Sequence, residues 1–268
     1  MAEGSLPEDG ELRLGTVTLP AGRRVLAGQG SGKPVAWATR QAVPDAGRAW
    51  SALSDVREET GLVPVLLGDD PGEDSEGLFF DSFFYSPSDV TELDHLDAAD
   101  VLKDFWDDAL PEDDGRWDGP HLAEARAPFS REFPGLAPGQ DTRLSPDRLE
   151  AALGSLRPAR VGLVAASRPA DVLPLVGWSG PDWQPTTLPI AAVLRSWEAR
   201  FGARLLKIGS GAEIRLLVER PPRGLNTARQ IAAEHFAFCD ECAGQGLRDI
   251  PAISASIINA PIWTFWWD

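Results

Sequence analysis

The chain has 268 residues, 43% of them apolar, and carries a net charge of −16. This size and composition are typical of a globular protein with one large or two ordinary domains. No apolar run reaches about 18 residues, which argues against a transmembrane helix. Two cysteines give no disulfide framework, so we expect a cytoplasmic protein.

Residues 1–10 are polar and contain glycine, proline and acids, without the basic start and apolar core of a signal peptide. We expect them to form a disordered tail. Residues 11–140 then form an N-terminal α/β region. Its apolar patterns predict strands at 12–19, 24–27, 34–39 and 62–67 and a helix from Asp45 to Thr60. Pro64 suggests that the strand 62–67 lies at an edge or carries a bulge.

The glycine-rich stretch 28–33 has the look of a phosphate-binding loop. However, that motif needs Ser or Thr after its lysine, and here Pro34 follows Lys33. Because a strand rather than a helix comes next, we interpret the stretch as a hairpin loop.

The negative charge is concentrated in one segment, Asp69 to Asp118. This segment has 18 acidic residues against two basic ones, Lys103 and Arg116, so it accounts for the whole net charge. Such a surface repels phosphate backbones, which argues against a nucleic-acid partner. It is either a solvated insert or a docking face for a basic protein. Within it we predict a helix at 93–110.

Frequent proline and glycine predict an irregular connection at 111–140, followed by a C-terminal α/β domain at 145–268. The patterns predict helices beginning at Ser145, Thr187, Thr227 and Asp249, a brief helix at 167–176, a strand at 160–166 and a hairpin of 204–208 with 213–219. The chain ends on a tryptophan-rich run, 263–267, which we predict to be a closing strand. Alternation places Trp263, Phe265 and Trp267 on one face and Ile262, Thr264 and Trp266 on the other, and one of the two faces belongs to the core. The fold class is therefore α/β (α+β), a mixed sheet with flanking helices.

Four ordered motifs give the C-terminal region a resemblance to a known family. They are Val176-Gly-Trp-Ser-Gly180, Leu194-Arg-Ser-Trp-Glu-Ala-Arg-Phe-Gly-Ala-Arg204, Ala232-Ala-Glu-His-Phe-Ala-Phe-Cys239 and Trp263-Thr-Phe-Trp-Trp-Asp268. Together they make residues 160–268 similar to the bacterial domain-of-unknown-function family 4253. The resemblance implies a cytosolic bacterial protein and no particular reaction. Cys242 lies outside the shared motif.

One group of residues has the spacing of metal ligands. His235, Cys239 and Cys242 stand at i, i+4 and i+7, which a helix would bring near one face. The set lacks a fourth ligand, and the same face carries apolar residues, so a buried core histidine is the favoured interpretation. We expect no metal and no cofactor.

The tryptophans of the C-terminal domain are the candidate binding residues, because tryptophan is enriched in recognition sites. With two polar neighbours they form the predicted set Trp178, Trp183, Trp197, Glu234, His235, Trp263 and Trp266. We expect a non-catalytic binding or protein-interaction protein. One alternative is an immunity-type or regulatory partner that neutralises a basic protein through 69–118. The other is a metal-dependent enzyme that uses His235.

Overall fold

The structure is a computed structural model that describes residues 4–27, 32–68, 86–108, 124–129, 131–178, 180, 187–209, 212–239 and 249–267. Within these ranges eight strands form one mixed sheet, in the order β1-β2-β3-β5-β4-β6-β7-β8. Helices lie on both faces. The predicted class, a mixed sheet with flanking helices and a tryptophan-rich last strand, is confirmed.

The described elements have the following bounds. The strands are β1 (Gly10–Leu14), β2 (Val17–Leu26), β3 (Pro34–Thr39), β4 (Leu62–Leu67), β5 (Arg160–Ala165), β6 (Ala203–Ile208), β7 (Ala212–Val218) and β8 (Ile262–Trp267). The helices are α1 (Ala46–Asp55), α2 (Arg57–Thr60), α3 (Ala98–Asp108), α4 (Pro146–Gly154), α5 (Val172–Val176), α6 (Leu188–Phe201), α7 (Leu225–Phe238) and α8 (Ile250–Ile257). Two 3₁₀ helices span Val90–His95 and Pro169–Asp171.

The sheet joins the two regions expected from the sequence. β5, from the C-terminal region, lies between β3 and β4 and pairs antiparallel with both. β4 in turn pairs parallel with β6, and this is the one parallel pair among the described strands. Residues 11–140 and 145–268 therefore contribute to one continuous sheet.

β4 lies in the middle of this sheet, and the expectation of an edge strand at Pro64 is wrong. All six of its residues are buried. Pro64 pairs with Leu163 of β5, while the pairing with β6 begins only at Leu66. The missing N–H of proline therefore removes no hydrogen bond to β6. The Pro64 carbonyl accepts a 2.9 Å hydrogen bond from the Trp50 indole of α1.

The first hairpin turns earlier than predicted. Its turn is at Gly15, which has a φ of 55°, rather than in the gap between the predicted strands 12–19 and 24–27. Pro20 lies inside β2, opposite the point where the register of β1 shifts between Gly10 and Leu12. The irregular pairing there tolerates a residue without an N–H. β2 and β3 pair antiparallel, as predicted, although residues 28–31 between them lie outside the described ranges.

The residues before β1 belong to the folded body, which corrects the prediction of a tail over 1–10 as far as residues 4–9 are concerned. The carbonyls of Leu6 and Pro7 accept hydrogen bonds from the Arg24 side chain at 3.2 and 2.9 Å. The Glu8 carbonyl accepts one from the Trp37 indole at 3.1 Å. These long-range contacts could not be read from a polar composition. Residues 1–3 lie outside the described ranges.

Two apolar layers cover the sheet. α1 and α4 pack on one face, where Gly47 approaches the backbone of Leu153 so closely that a Cβ would overlap its carbonyl. α3, α5, α6, α7 and α8 supply the larger layer on the other face. No described helix combines the length and apolar character needed to cross a membrane.

Several predicted helices keep their place but change their bounds. The helix expected from Asp45 to Thr60 is broken at Val56 into α1 and α2, and the one expected at 93–110 becomes a 3₁₀ helix followed by α3. The helix expected to begin at Thr227 begins at Leu225. α6 ends at Gly202 with a φ of 62°, as its sequence predicted.

The terminal strand β8 pairs antiparallel with β7 at one end of the sheet. Trp263, Phe265 and Trp267 are buried on one face, whereas Ile262 and Trp266 are half-buried and Thr264 is exposed. The predicted alternation is confirmed.

Candidate functional site

The candidate residues meet on the inner face of α7, against α6 and β8. Glu234 and His235 are neighbours on α7 and are 0% and 6% exposed. α7 carries alanine, isoleucine and phenylalanine around them, so it can bury most of its surface. Two ionisable groups in such a place need partners or must be neutral.

Glu234 has a complete set of partners. Its Oε1 accepts hydrogen bonds from the Ala137 backbone N–H and from Arg200 Nη1, both at 2.7 Å. Its Oε2 accepts from Arg200 Nη2 at 2.6 Å and from the Trp197 indole at 2.8 Å. A carboxylate offers about four lone-pair sites, and all of them are used. The group is therefore a structural acceptor, with no lone pair left for a metal or a substrate proton.

His235 lies in an aromatic enclosure. Its ring centroid is 4.4 Å from Trp263, 4.9 Å from Phe265 and 5.1 Å from Trp197. Its Nε2 is buried without a hydrogen-bond partner. Burial among apolar rings disfavours the charged form and lowers the pKa of His235 to about 3. The imidazole is thus neutral at any physiological pH.

The predicted tryptophans divide between two places. Trp178 and Trp263 are each 2% exposed; Trp178 meets Trp267 at 6.0 Å, and Trp263 meets His235. Trp266 points to the other side of β8 and is half-buried. Trp183 lies outside the described residues. The structure therefore brings Trp178, Trp197, Glu234, His235 and Trp263 into one buried cluster.

The metal-ligand candidates are not assembled in the part of the chain that the structure describes. Cys239 is disulfide-bonded, so it offers no thiolate, and its Sγ lies 3.1 Å from the Trp266 carbonyl oxygen. Cys242 lies outside the described residues. Among the described residues, no three His, Cys, Asp or Glu side chains are close enough to hold a metal ion.

Two participants of the cluster were not anticipated from the sequence. Arg200 was overlooked because arginine on a helix ordinarily faces water, although its spacing of three from Trp197 places both on one side of α6. Ala137 enters through its backbone, and no sequence pattern marks such a contact. A second buried carboxylate, Asp171, was missed too, and Arg195 binds both of its oxygens at 2.6 and 3.0 Å.

A different surface among the described residues concentrates negative charge. Residues 86–108, which we call the acidic face, contain eight carboxylates and one lysine, a net charge of −7. All eight acids are exposed: Asp89, Glu92, Asp94, Asp97, Asp100, Asp104, Asp107 and Asp108. Among the described residues, Asp94 pairs with Arg195, and Asp107 pairs with Lys103.

α3 carries four of these acids, Asp100, Asp104, Asp107 and Asp108, on its exposed side and buries the other side. Val101, Leu102, Phe105 and Trp106 are buried against α6 and α7. The acidic face is therefore fixed to the same helices that carry the Glu234 cluster. The rest of the predicted acidic segment, 69–85 and 109–118, lies outside the described residues.

The comparisons with known proteins agree with these observations. Residues 160–268 match the family model described as Domain of unknown function (DUF4253). The resemblance predicted from the four motifs is thereby confirmed for the C-terminal region. No curated protein and no solved structure matches the chain. The matched region contains Arg200, Glu234 and His235 but neither the acidic face nor Ala137.

Proposed function

We propose that this protein is a non-catalytic binding protein whose partner is a protein with a basic surface. The observation that carries the proposal is the acidic face, in which residues 86–108 expose eight carboxylates against a single lysine. Like charges held close together repel one another, and a cationic partner relieves this repulsion while accelerating its own association.

The two residues that an enzyme would use here, Glu234 and His235, are unsuited to acid–base catalysis or metal binding. Glu234 has no free lone pair, and His235, with its pKa near 3, has no proton to give at neutral pH. A general acid or base works best with a pKa near the operating pH. Stoichiometric zinc in the purified protein, lost on His235→Ala, would contradict this reasoning.

The finer form of the proposal is a regulatory partner of the immunity type, which neutralises a basic protein by covering its surface. The compartment that we propose is the cytoplasm. The disulfide at Cys239 would then be open to reduction, because thiols are kept reduced there.

The test uses two matched variants. The face-neutral variant carries Glu92→Gln, Asp100→Asn, Asp104→Asn and Asp108→Asn. These four carboxylates make no described hydrogen bond or ion pair, so their loss removes no described contact of this kind from α3. The control variant removes four exposed acids elsewhere, through Glu58→Gln, Glu59→Gln, Asp141→Asn and Glu150→Gln.

Each immobilised protein captures partners from an extract at about 0.05 and 0.5 M salt, where charge screening differs strongly. We expect wild type and control to retain a common basic protein at the lower salt concentration and the face-neutral variant to lose it. Capture that is the same for all three proteins, or insensitive to salt, would refute the proposal.

A further inference from the structure

Residues 131–144, which we call the strap, contain no helix or strand. They contact residues 160–268, which match the family model and which we call the family region. The strap has the sequence Arg-Glu-Phe-Pro-Gly-Leu-Ala-Pro-Gly-Gln-Asp-Thr-Arg-Leu. It is nevertheless tightly held. Ala137 is 2% and Leu144 is 5% exposed, and Phe133 and Leu136 pack against the larger core layer.

The main chain of the strap is bound at five points by residues of the family region. The Ala137 N–H donates to Glu234, and the Ala137 carbonyl accepts from Arg200. The N–H groups of Gln140 and Leu144 donate to the carbonyls of Arg200 and Glu219. The Arg143 carbonyl accepts from the Arg223 side chain, and all five distances are 2.7–2.9 Å. Extended peptides are commonly recognised in this way, with main-chain hydrogen bonds for affinity and side-chain pockets for specificity.

The contact at Ala137 is the strongest sign of recognition. Glu234 accepts from its N–H and Arg200 donates to its C=O, so one buried ion pair binds both polar groups of a single residue. Charge-assisted hydrogen bonds of this kind are about twice as strong as neutral ones. A buried ion pair costs desolvation energy that an apolar contact would not, and here each partner directs one hydrogen bond at a peptide backbone.

The residues that bind the strap lie inside the region that matches the family model, and the strap itself lies outside it. Arg200, Glu219, Arg223 and Glu234 all lie within residues 160–268, whereas the strap lies outside them. The region that matches the family thus contains the receptor side of the contact and none of its occupant.

We propose that the surface around Arg200 and Glu234 is a binding site for an extended peptide, which the strap occupies in cis. The peptide that fits has a small residue at the position of Ala137 and an apolar residue seven positions later, at Leu144. A basic residue precedes the latter, since Arg143 lies 3.1 Å from Glu219. A segment of this pattern in another chain would compete with the strap.

The test measures binding of a fluorescent peptide with the strap sequence to the full-length chain. In the released variant, Ala137→Asp places a carboxylate beside Glu234 and expels the strap. We expect this variant to bind the peptide at least ~10-fold more tightly than wild type, a difference equivalent to about 1.4 kcal/mol. The control peptide, with Asp at the position of Ala137, is expected not to bind.

A second released variant allows the test to be made if Ala137→Asp does not fold. It carries Leu136→Ser, Ala137→Gly and Leu144→Ser, which remove the apolar anchors and add no charge. Circular dichroism and cooperative unfolding establish which variant is folded. Equal binding by wild type and a folded released variant, absence of binding by that variant, or equal binding of the two peptides would each overturn the proposal.

Discussion

Acid should destabilise this protein through His235 in particular. The unfolded chain binds a proton at this residue with a pKa near 6.5, whereas the folded chain does so only with a pKa of about 3. Above pH 6.5 the imidazole is neutral in both states and costs nothing. As the pH falls below 6.5, only the unfolded state gains the proton, so the free energy of unfolding decreases until the pH reaches the folded-state value.

The magnitude follows from the difference between the two pKa values. Each pH unit between them removes about 1.4 kcal/mol, which makes about 3 kcal/mol at pH 4.5 and about 5 kcal/mol in full. Such a loss is a large part of the stability of an ordinary domain.

The assay is urea denaturation at pH 7.5, 6.5, 5.5 and 4.5 for wild type and His235→Phe. Phenylalanine fills the enclosure of Trp197, Trp263 and Phe265 without a titrating group. Carboxylates contribute equally to both proteins, so the difference between the two curves isolates the histidine. We expect the variant to lose about 3 kcal/mol less than wild type between pH 6.5 and 4.5. Parallel curves, or an NMR titration of His235 near pH 6.5, would refute the reasoning.

Three further substitutions test the packing around the cluster by urea denaturation. Arg200→Met should cost about 3–5 kcal/mol, because it leaves the Glu234 carboxylate buried without its cation; a loss below about 1 kcal/mol would mean that the pair is open to water. Phe265→Ala should cost about 3–5 kcal/mol, because it opens a cavity beneath β8; a small loss would place β8 outside the core. Gly47→Ala should cost about 1–3 kcal/mol through overlap with the Leu153 carbonyl, and an unchanged midpoint would show that α1 and α4 do not pack this closely.

Local patterns sufficed for most of the fold. β3 was predicted with its observed bounds, because Pro34 and Thr39 enclose an apolar run. α6 was predicted because Ile190, Val193, Leu194 and Trp197 keep a helical spacing before Gly202. The alternation in β8 separated its residues into two faces, and the structure shows that the face of Trp263, Phe265 and Trp267 is the buried one.

The wrong predictions concern segments whose structure depends on contacts with residues far away in the sequence. Pro64 indicated an edge strand, but the late start of the β4–β6 pairing admits a proline in the middle of the sheet. Leu6, Pro7 and Glu8 lie in a polar stretch, but their carbonyls are bound by Arg24 and Trp37. Arg24 and Trp37 are distant in the sequence from these residues, so no local pattern predicts the contacts.

The residues of the candidate site were predicted only in part, because long-range contacts complete it. Trp197, Glu234 and His235 could be named from their residue types, and the structure brings them together. That Glu234 is fully hydrogen-bonded depends on Arg200 and on the Ala137 backbone, 97 residues away along the chain. The role of Glu234 as a buried structural acceptor therefore could not be predicted from the sequence.

The most direct test of the proposed function is the salt dependence of the dissociation constant for the captured basic protein. It is measured by fluorescence titration between about 0.05 and 0.5 M salt for wild type, the face-neutral variant and the control variant. We expect the affinity to fall steeply with salt for wild type and control, and the face-neutral variant to bind more weakly with a flatter salt dependence. Three superimposable curves would contradict it, because binding would then not use the acidic face.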